Sequence, residues 1–490
     1  MLLWAATASY AAGFASLSVL RHRAFNTGRY DLGNMVQTVW NTAHGHFLQM
    51  TSGDGRQISR LAAHFDPILA AFAPLWWIWP SPELLLVVQA LAIALGALPV
   101  FWLARKHLGS DHAGLGFALV YLLYPATEWL TLNEFHPVAL ACPFLLFAFW
   151  YLGEDRLVPF AVFAVLAMTT KEEIGLVVAG LGVWYAIRRR WRPGAAIAAT
   201  GVLVSAIAIT LVIPHYNAGA ESAFYGRYDA IGGSAGGIAK TAVTRPWRIA
   251  EEAFRVNDLH YLMHLLLPLA LLFALAPVVL VAVLPELALN QLSATPTQTS
   301  IHFHYTAGAI PPLVVASVLG AAALVRRFPA APVAAGAVAV ALAANWKIGA
   351  VPLWGAVPGG EDYQRADWRV TAHDRIAAEA ISLVPADAVV SSTNVLGAHL
   401  SARRRVLSLP KLSDATWVVA DETRSSYADR SAPLPAAAAL VRLRRNPDWT
   451  LVFQRDGVLV FHKRSPYSAT SRRLRASSGQ TGQPIAHRSR

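Results

Sequence analysis

Charge and cysteine are what this sequence has least of. Charged residues make up 14% of its 490 residues, where a soluble domain carries about 25%. Hydrophobic residues are 55% and the mean hydropathy is +0.41. So little charge cannot cover a soluble surface of this size, so most of the chain must face lipid. A cytosolic enzyme, a disordered chain and a fibrous repeat are excluded. The single cysteine, Cys142, excludes a disulfide framework and any Cys-based zinc or iron–sulfur site. No HExxH pattern occurs, which argues against dedicated zinc catalysis. The formal net charge is +12, yet no stripe interleaves aromatic and basic residues, so nucleic acid is not the expected partner. Basic residues collect instead in short loops and a C-terminal tail, as the positive-inside rule requires.

What is present is a series of apolar runs. A membrane helix needs about 20 mostly apolar residues. Candidate spans lie near 2–20, 84–104, 113–130, 138–152, 157–170, 174–187, 195–213, 306–325 and 330–346. The stretch 262–292 is too long for one span, and Pro277 splits it into two short helices. The sum is about eleven crossings. Residues 67–80 are short and carry Trp76, Trp77 and Trp79, which predicts an interfacial or re-entrant helix.

Orientation follows from Arg105 and Lys106, from Arg188, Arg189, Arg190 and Arg192, and from Arg326 and Arg327. These occupy three short loops that fall on one side, which is therefore expected to be cytoplasmic. They outweigh Arg21 and Arg23 in one long loop. The protein is thus expected to be a multi-pass cell-membrane protein, with its N-terminus cytoplasmic and its C-terminal part extracytoplasmic. Residues 1–350 read as the transmembrane helical domain and 361–464 as a small extracytoplasmic α/β domain. In the latter, 365–384 and 436–445 read as helices. Short strands are expected at 388–392, 406–409 and 417–420, and Arg455-Asp456-Gly457 joins strands 450–454 and 458–462 as a hairpin. Residues 465–490 read as a disordered basic tail. The Gly-bearing outer loop 214–261 reads as a lid or a connector.

Ionisable groups in or beside spans are costly and are functional candidates by default. Tyr30-Asp31-Leu32-Gly33 opens a helix containing Gln37, where Asp31 is either a functional carboxylate or an N-cap. His64-Phe65-Asp66-Pro67 precedes the interfacial helix, which Asp66 would cap. Asn133-Glu134-Phe135-His136-Pro137 fills a tight loop. Thr170-Lys171-Glu172-Glu173 places one cation and two carboxylates between two apolar runs, leaving one carboxylate spare. His302-Phe303-His304-Tyr305 opens another span. All lie on the expected outer side. An active site at the membrane surface and the polar vestibule of a transporter would both show this pattern.

These motifs resemble a prokaryotic membrane-protein family known as domain of unknown function 2079. The residues that carry the resemblance are Tyr30-Asp31-Leu32-Gly33 with Gln37 and Trp40, then His64, Glu134-Phe135-His136, Lys171-Glu172-Glu173, and His304-Tyr305 with Pro311. Leu396-Gly397-Ala398-His399-Leu400-Ser401 and Arg403 belong to it as well. That family in turn looks like the glycosyltransferase C superfamily (GT-C), polytopic enzymes that use polyprenyl-phosphate-linked donors. The resemblance implies a polytopic α-helical, GT-C-like membrane fold with a key acidic residue in the first outer loop, where Asp31 stands. Many superfamily members carry an Asp-Asp or Asp-Glu pair there, whereas this chain has Tyr30-Asp31.

The expected function is therefore glycosyl transfer from a polyprenyl-phosphate sugar donor, within the bilayer, to an acceptor on the outer face. Asp31, Glu134, Lys171 and Glu172 are the expected catalytic residues. Tyr30, Gln37, His64, His136, Glu173, His304 and Tyr305 are expected to contact substrate. Asp31 would take the acceptor proton. Lys171, or a divalent cation held by Glu134, Glu172 or a histidine, would face the leaving phosphate. Hard oxygen ligands would suit Mg2+ or Mn2+. The alternatives are a transporter or lipid-handling protein with no chemistry, and an assembly protein whose outer domain binds a partner.

Overall fold

The computed structural model describes residues 1–220, 223–358, 368–431 and 435–464. Among the described residues, four helices are long and apolar enough to cross a membrane: Leu2–Arg23, Glu83–Leu108, Trp191–Tyr216 and Ala330–Ile348. A fifth candidate is broken, with Asp111–Leu122 and Pro125–Leu132 meeting at 49°. Pro125 is the cause, because it has no N–H to give the preceding turn. Shorter apolar helices are Pro137–Gly153, Leu157–Met168, Ile174–Arg188 and Ile310–Leu324. The Trp-rich stretch Pro67–Ile78 is likewise short, a 3₁₀ turn running into one α-helical segment.

Small residues set how these helices pack. Ile174–Arg188 and Trp191–Ile207 form a hairpin in which Gly175 lies against Gly201 and Gly182 against Ala198. A Cβ at either glycine would meet backbone within 2.5 Å. Close backbone approach of this kind replaces the hydrophobic drive that lipid removes.

The stretch 262–292 corrects the sequence expectation. It is not two helices split at Pro277. An α-helix, Val256–Leu266, gives way to 3₁₀ turns at Leu267–Leu269, Leu272–Leu275 and Pro277–Ala282, and a helix resumes at Leu284–Gln291. Pro268, Pro277 and Pro285 remove ladder donors, and Ala270 and Leu271 adopt left-handed φ of 53° and 54°.

Two sheets are present among the described residues. Strands β1 (Gln49–Thr51) and β2 (Gln57–Ser59) form an antiparallel hairpin in the first long loop. Five strands follow in the C-terminal part: β3 (Val390–Ser392), β4 (Val406–Ser408), β5 (Trp417–Asp421), β6 (Trp449–Arg455) and β7 (Val458–Lys463), in the order β4-β3-β5-β7-β6. Asp456 and Gly457, both at positive φ, turn β6 into β7. Helices Ala372–Ser382 and Ala436–Arg445 pack on this sheet. The start of the expected helix at 365 and the tail 465–490 lie outside the described residues.

A buried cation helps join the α/β unit to the first loop. The guanidinium of Arg29 donates to Ser408 Oγ, Val406 O and Thr51 O, each at 2.8 Å. The unit therefore sits directly behind the turn that carries Asp31.

Candidate functional site

Residues Arg29–Gly33 form a single π-helical turn that runs into the helix Asn34–Ala43. Its shape comes from Glu134, at a left-handed φ of 51°. The Glu134 carboxylate accepts from Gly28 N at 3.0 Å and from Leu32 N at 2.9 Å. Burial, and next the Asp31 charge, push Glu134 up to about 8. The two backbone amides donate to it and oppose that rise. Glu134 is in turn fixed by Gln89, whose amide Nε2 donates to Glu134 O at 2.5 Å and whose Oε1 accepts from His136 N at 3.0 Å.

Held this way, the turn throws the Asp31 side chain outward, 52% exposed. The capping alternative fails, because the following helix starts from Gly33 with no side-chain cap. Asp66 stands at its N-cap position but makes no cap bond either, and instead pairs with Arg60 at 2.7 Å in a buried setting. Asp31 Oδ1 lies 3.4 Å from His136 Nε2, while His136 Nδ1 contacts Asn133 O at 2.8 Å. A carbonyl only accepts, so Nδ1 donates and a neutral His136 points its Nε2 lone pair at Asp31. His304 stacks on His136 with ring centroids 3.7 Å apart.

The loop 169–173 supplies a further part of the wall. Glu172 accepts from His64 Nδ1 at 2.8 Å and from Phe65 N at 2.9 Å. Burial works against its charge, but His64, Lys171 and the Phe65 amide outweigh burial and hold Glu172 at about 2. Lys171 pairs with Glu173 at 2.6 Å. Burial would lower Lys171, yet Glu173, Glu172 and Glu286 together raise it. Its ammonium sits 5.4 Å from the Tyr305 ring centre, and the Arg227 guanidinium sits 5.7 Å from the same ring.

Two adjoining cavities result. The more polar one, about 290 Å³, is lined by Tyr30, Asp31, His64, His136, Lys171, Arg227, His304 and Tyr305 among others. The second, about 150 Å³, adds Glu172, Glu173 and Glu286 to apolar walls from Leu176, Ile209, Ile213 and Leu289. They share His64, Lys171, Phe224, Arg227 and Tyr305. Among the described residues no three His, Cys, Asp and Glu side chains converge to hold a metal ion.

Two expected residues are not on these walls. Gln37 is buried, accepting from Thr51 N at 2.9 Å and donating to Arg404 O at 3.1 Å, so it ties the first loop to the α/β unit. Glu134 lies behind the Asp31 turn and holds it, its oxygens engaged by backbone amides. Conversely, Arg227, Phe224 and Glu286 line the cavities and were not expected. Arg227 and Phe224 come from the loop 214–261, where an arginine among aromatics in Phe224-Tyr225-Gly226-Arg227-Tyr228 was the available signal. Glu286, buried and with no hydrogen bond at Oε2, is an ionisable residue inside an expected span, the signal already applied elsewhere.

Fold and site together define a multi-pass, mostly helical membrane protein with a polar site between its loops. The chain is similar to the crystal structure of ArnT from Cupriavidus metallidurans in the apo state. The TM-score is 0.50 at 11% identity, over 88% of this chain and 93% of that one. At that identity the likeness is one of fold alone. The chain belongs to the family described as Predicted membrane protein (DUF2079), whose model matches residues 21–460. No curated protein matches the sequence.

Proposed function

We propose that the protein is a membrane glycosyltransferase that moves a sugar from a polyprenyl-phosphate-linked donor to an acceptor hydroxyl on the outer membrane face. The observation that carries this reading is one polar cavity with a half-exposed carboxylate, Asp31, on one wall and two cations, Lys171 and Arg227, around Tyr305 on another. A carboxylate opposite a cation pair suits a reaction in which a proton leaves the acceptor as negative charge grows on a phosphate.

In this reading the donor phosphate sits between Lys171 and Arg227, and its lipid follows the apolar walls of the second cavity. Asp31 takes the acceptor proton as the oxygen bonds to the anomeric carbon. The bond from that carbon to the phosphate oxygen breaks, and its electron pair leaves with the phosphate. The proton is then shared with His136 Nε2, which has no proton of its own in the neutral ring. Glu134 acts only by holding the turn that carries Asp31. The N-terminus is cytoplasmic and the α/β unit extracytoplasmic.

Labelled envelope glycans compared between wild type and Asp31→Asn test the reading. Loss of a labelled species at equal protein level supports it. Unchanged glycans count against it and favour a transporter with a polar vestibule.

A further inference from the structure

The loop that supplies Phe224 and Arg227 continues into two short helices, Ala235–Thr244 and Pro246–Ala253. No residue of the second helix is buried. Even so, it is amphipathic. Trp247 and Phe254 are seven positions apart, two turns, and so fall on one side, while Arg248 and Glu252 fall on the other. Trp247 is 58% exposed, Phe254 72%, and Val243 at the end of the preceding helix 83%. The rest of the protein covers a different side of this segment. Arg255 donates to Ser293 O at 2.5 Å and Gln291 reaches Ala253 O at 3.4 Å, which leaves the large apolar side chains free.

Next to them stand Lys240, Arg245 and Arg248, all exposed and without an ion pair among the described residues. Of the acids between 235 and 255, Glu252 is committed to Arg255 at 3.2 Å, and Glu251, one turn from both Trp247 and Phe254, borders the apolar side. Uncovered Trp, Phe and Val side chains beside free cations match the composition of helices that lie in a bilayer interface: apolar groups enter the acyl boundary and cations meet anionic headgroups. A bilayer is at hand, since the chain belongs to a membrane-protein family.

We propose that residues 235–254 lie flat in the headgroup region of the membrane, with an anionic lipid surface as their partner. This contact ties to the bilayer the same loop that walls the cavities with Phe224 and Arg227. It is independent of the reaction proposed above, because it needs only the bilayer.

Spin-label depth measurements test it on the full chain in nanodiscs. Cys142 is buried, so a label goes to an introduced cysteine. Labels at Val243→Cys and Phe254→Cys should show an oxygen-to-nickel collision ratio several-fold above that of Arg248→Cys. The ratio should be higher in equal parts phosphatidylcholine and phosphatidylglycerol than in phosphatidylcholine alone. Replacing Lys240, Arg245 and Arg248 together with Gln should remove that lipid dependence. Equal, water-like ratios at the three sites would overturn the proposal. Exclusion of both reagents from 243 and 254 would overturn it in favour of a protein partner, and indifference to phosphatidylglycerol would overturn the anionic surface. Should Phe254→Cys fail to fold, Val243→Cys against Arg248→Cys carries the same decision.

Discussion

Asp31 Oδ1 stands 3.4 Å from His136 Nε2, on a turn whose backbone is fixed by a third residue, Glu134. A carboxylate and an imidazole lone pair face each other across a gap that one proton would fill. No helix cap competes for Asp31.

That last point makes Asp31→Asn a clean substitution. The protein should keep its melting temperature to within the effect of an ordinary surface change, about 0.5 kcal/mol, because no cap is lost and the Asn amide still offers His136 Nε2 a polar partner. Thermal unfolding in detergent checks this. A large drop in stability would mean that Asp31 holds the fold together.

Glu134→Ala should behave in the opposite way. It leaves the amides of Gly28 and Leu32 without their acceptor, and each orphaned donor costs about 1–3 kcal/mol. The turn around Asp31 should loosen. Faster hydrogen exchange at 28–33, with protection kept in β3 to β5, is the expected pattern. Unchanged exchange there would show that Glu134 does not hold the turn.

Arg227→Ala should weaken binding of a phosphate-bearing ligand more than Arg227→Lys, which keeps the charge near Tyr305. Thermal shift with a short-chain polyprenyl phosphate reads this directly. Wild-type stabilisation should fall about tenfold in apparent affinity for Ala, the effect of losing one charge-assisted bond of roughly 1.5 kcal/mol. Equal binding by the wild type and Arg227→Ala would remove Arg227 from the phosphate site.

The junction of the α/β unit with the first helix should weaken in acid. His399 stacks on His22 at 3.9 Å and on Phe25 at 4.0 Å, and burial lowers it to about 4. An unfolded histidine takes its proton near pH 6.5. The folded state therefore binds fewer protons between about pH 6.5 and 4, and stability is lost as the pH falls through that window. The expected size is about 1–2 kcal/mol, since the ring is only partly enclosed. His399→Phe keeps the stack and should flatten the pH dependence. A slope equal to that of the wild type would assign it to other groups.

Topology is tested by impermeant thiol labelling of Arg188→Cys and Tyr427→Cys, both exposed. The two should label from opposite sides of the membrane. Labelling from one side would end the eleven-crossing scheme.

Composition alone placed this chain in a bilayer, because 14% charge cannot cover a soluble surface. Local chemistry likewise fixed elements whose signal lies within a few residues: the hairpin at Asp456-Gly457, the helix Ala436–Arg445, and the strands around Val418 and Val460. The irregular stretch 262–292 was not legible, since three prolines say that a helix breaks but not what replaces it. The site divides in the same way. Charged residues in apolar surroundings marked Asp31, His136 and Lys171, which line the polar cavity, because burial cost is a local property. Which of them touch a ligand depends on distances between loops more than 100 residues apart. Only the tertiary structure set Glu134 behind Asp31, tied Gln37 to Thr51 and Arg404, and brought Arg227 over Tyr305. A carboxylate that holds a turn and one that takes a proton have the same side chain, and the groups packed around each decide which it is.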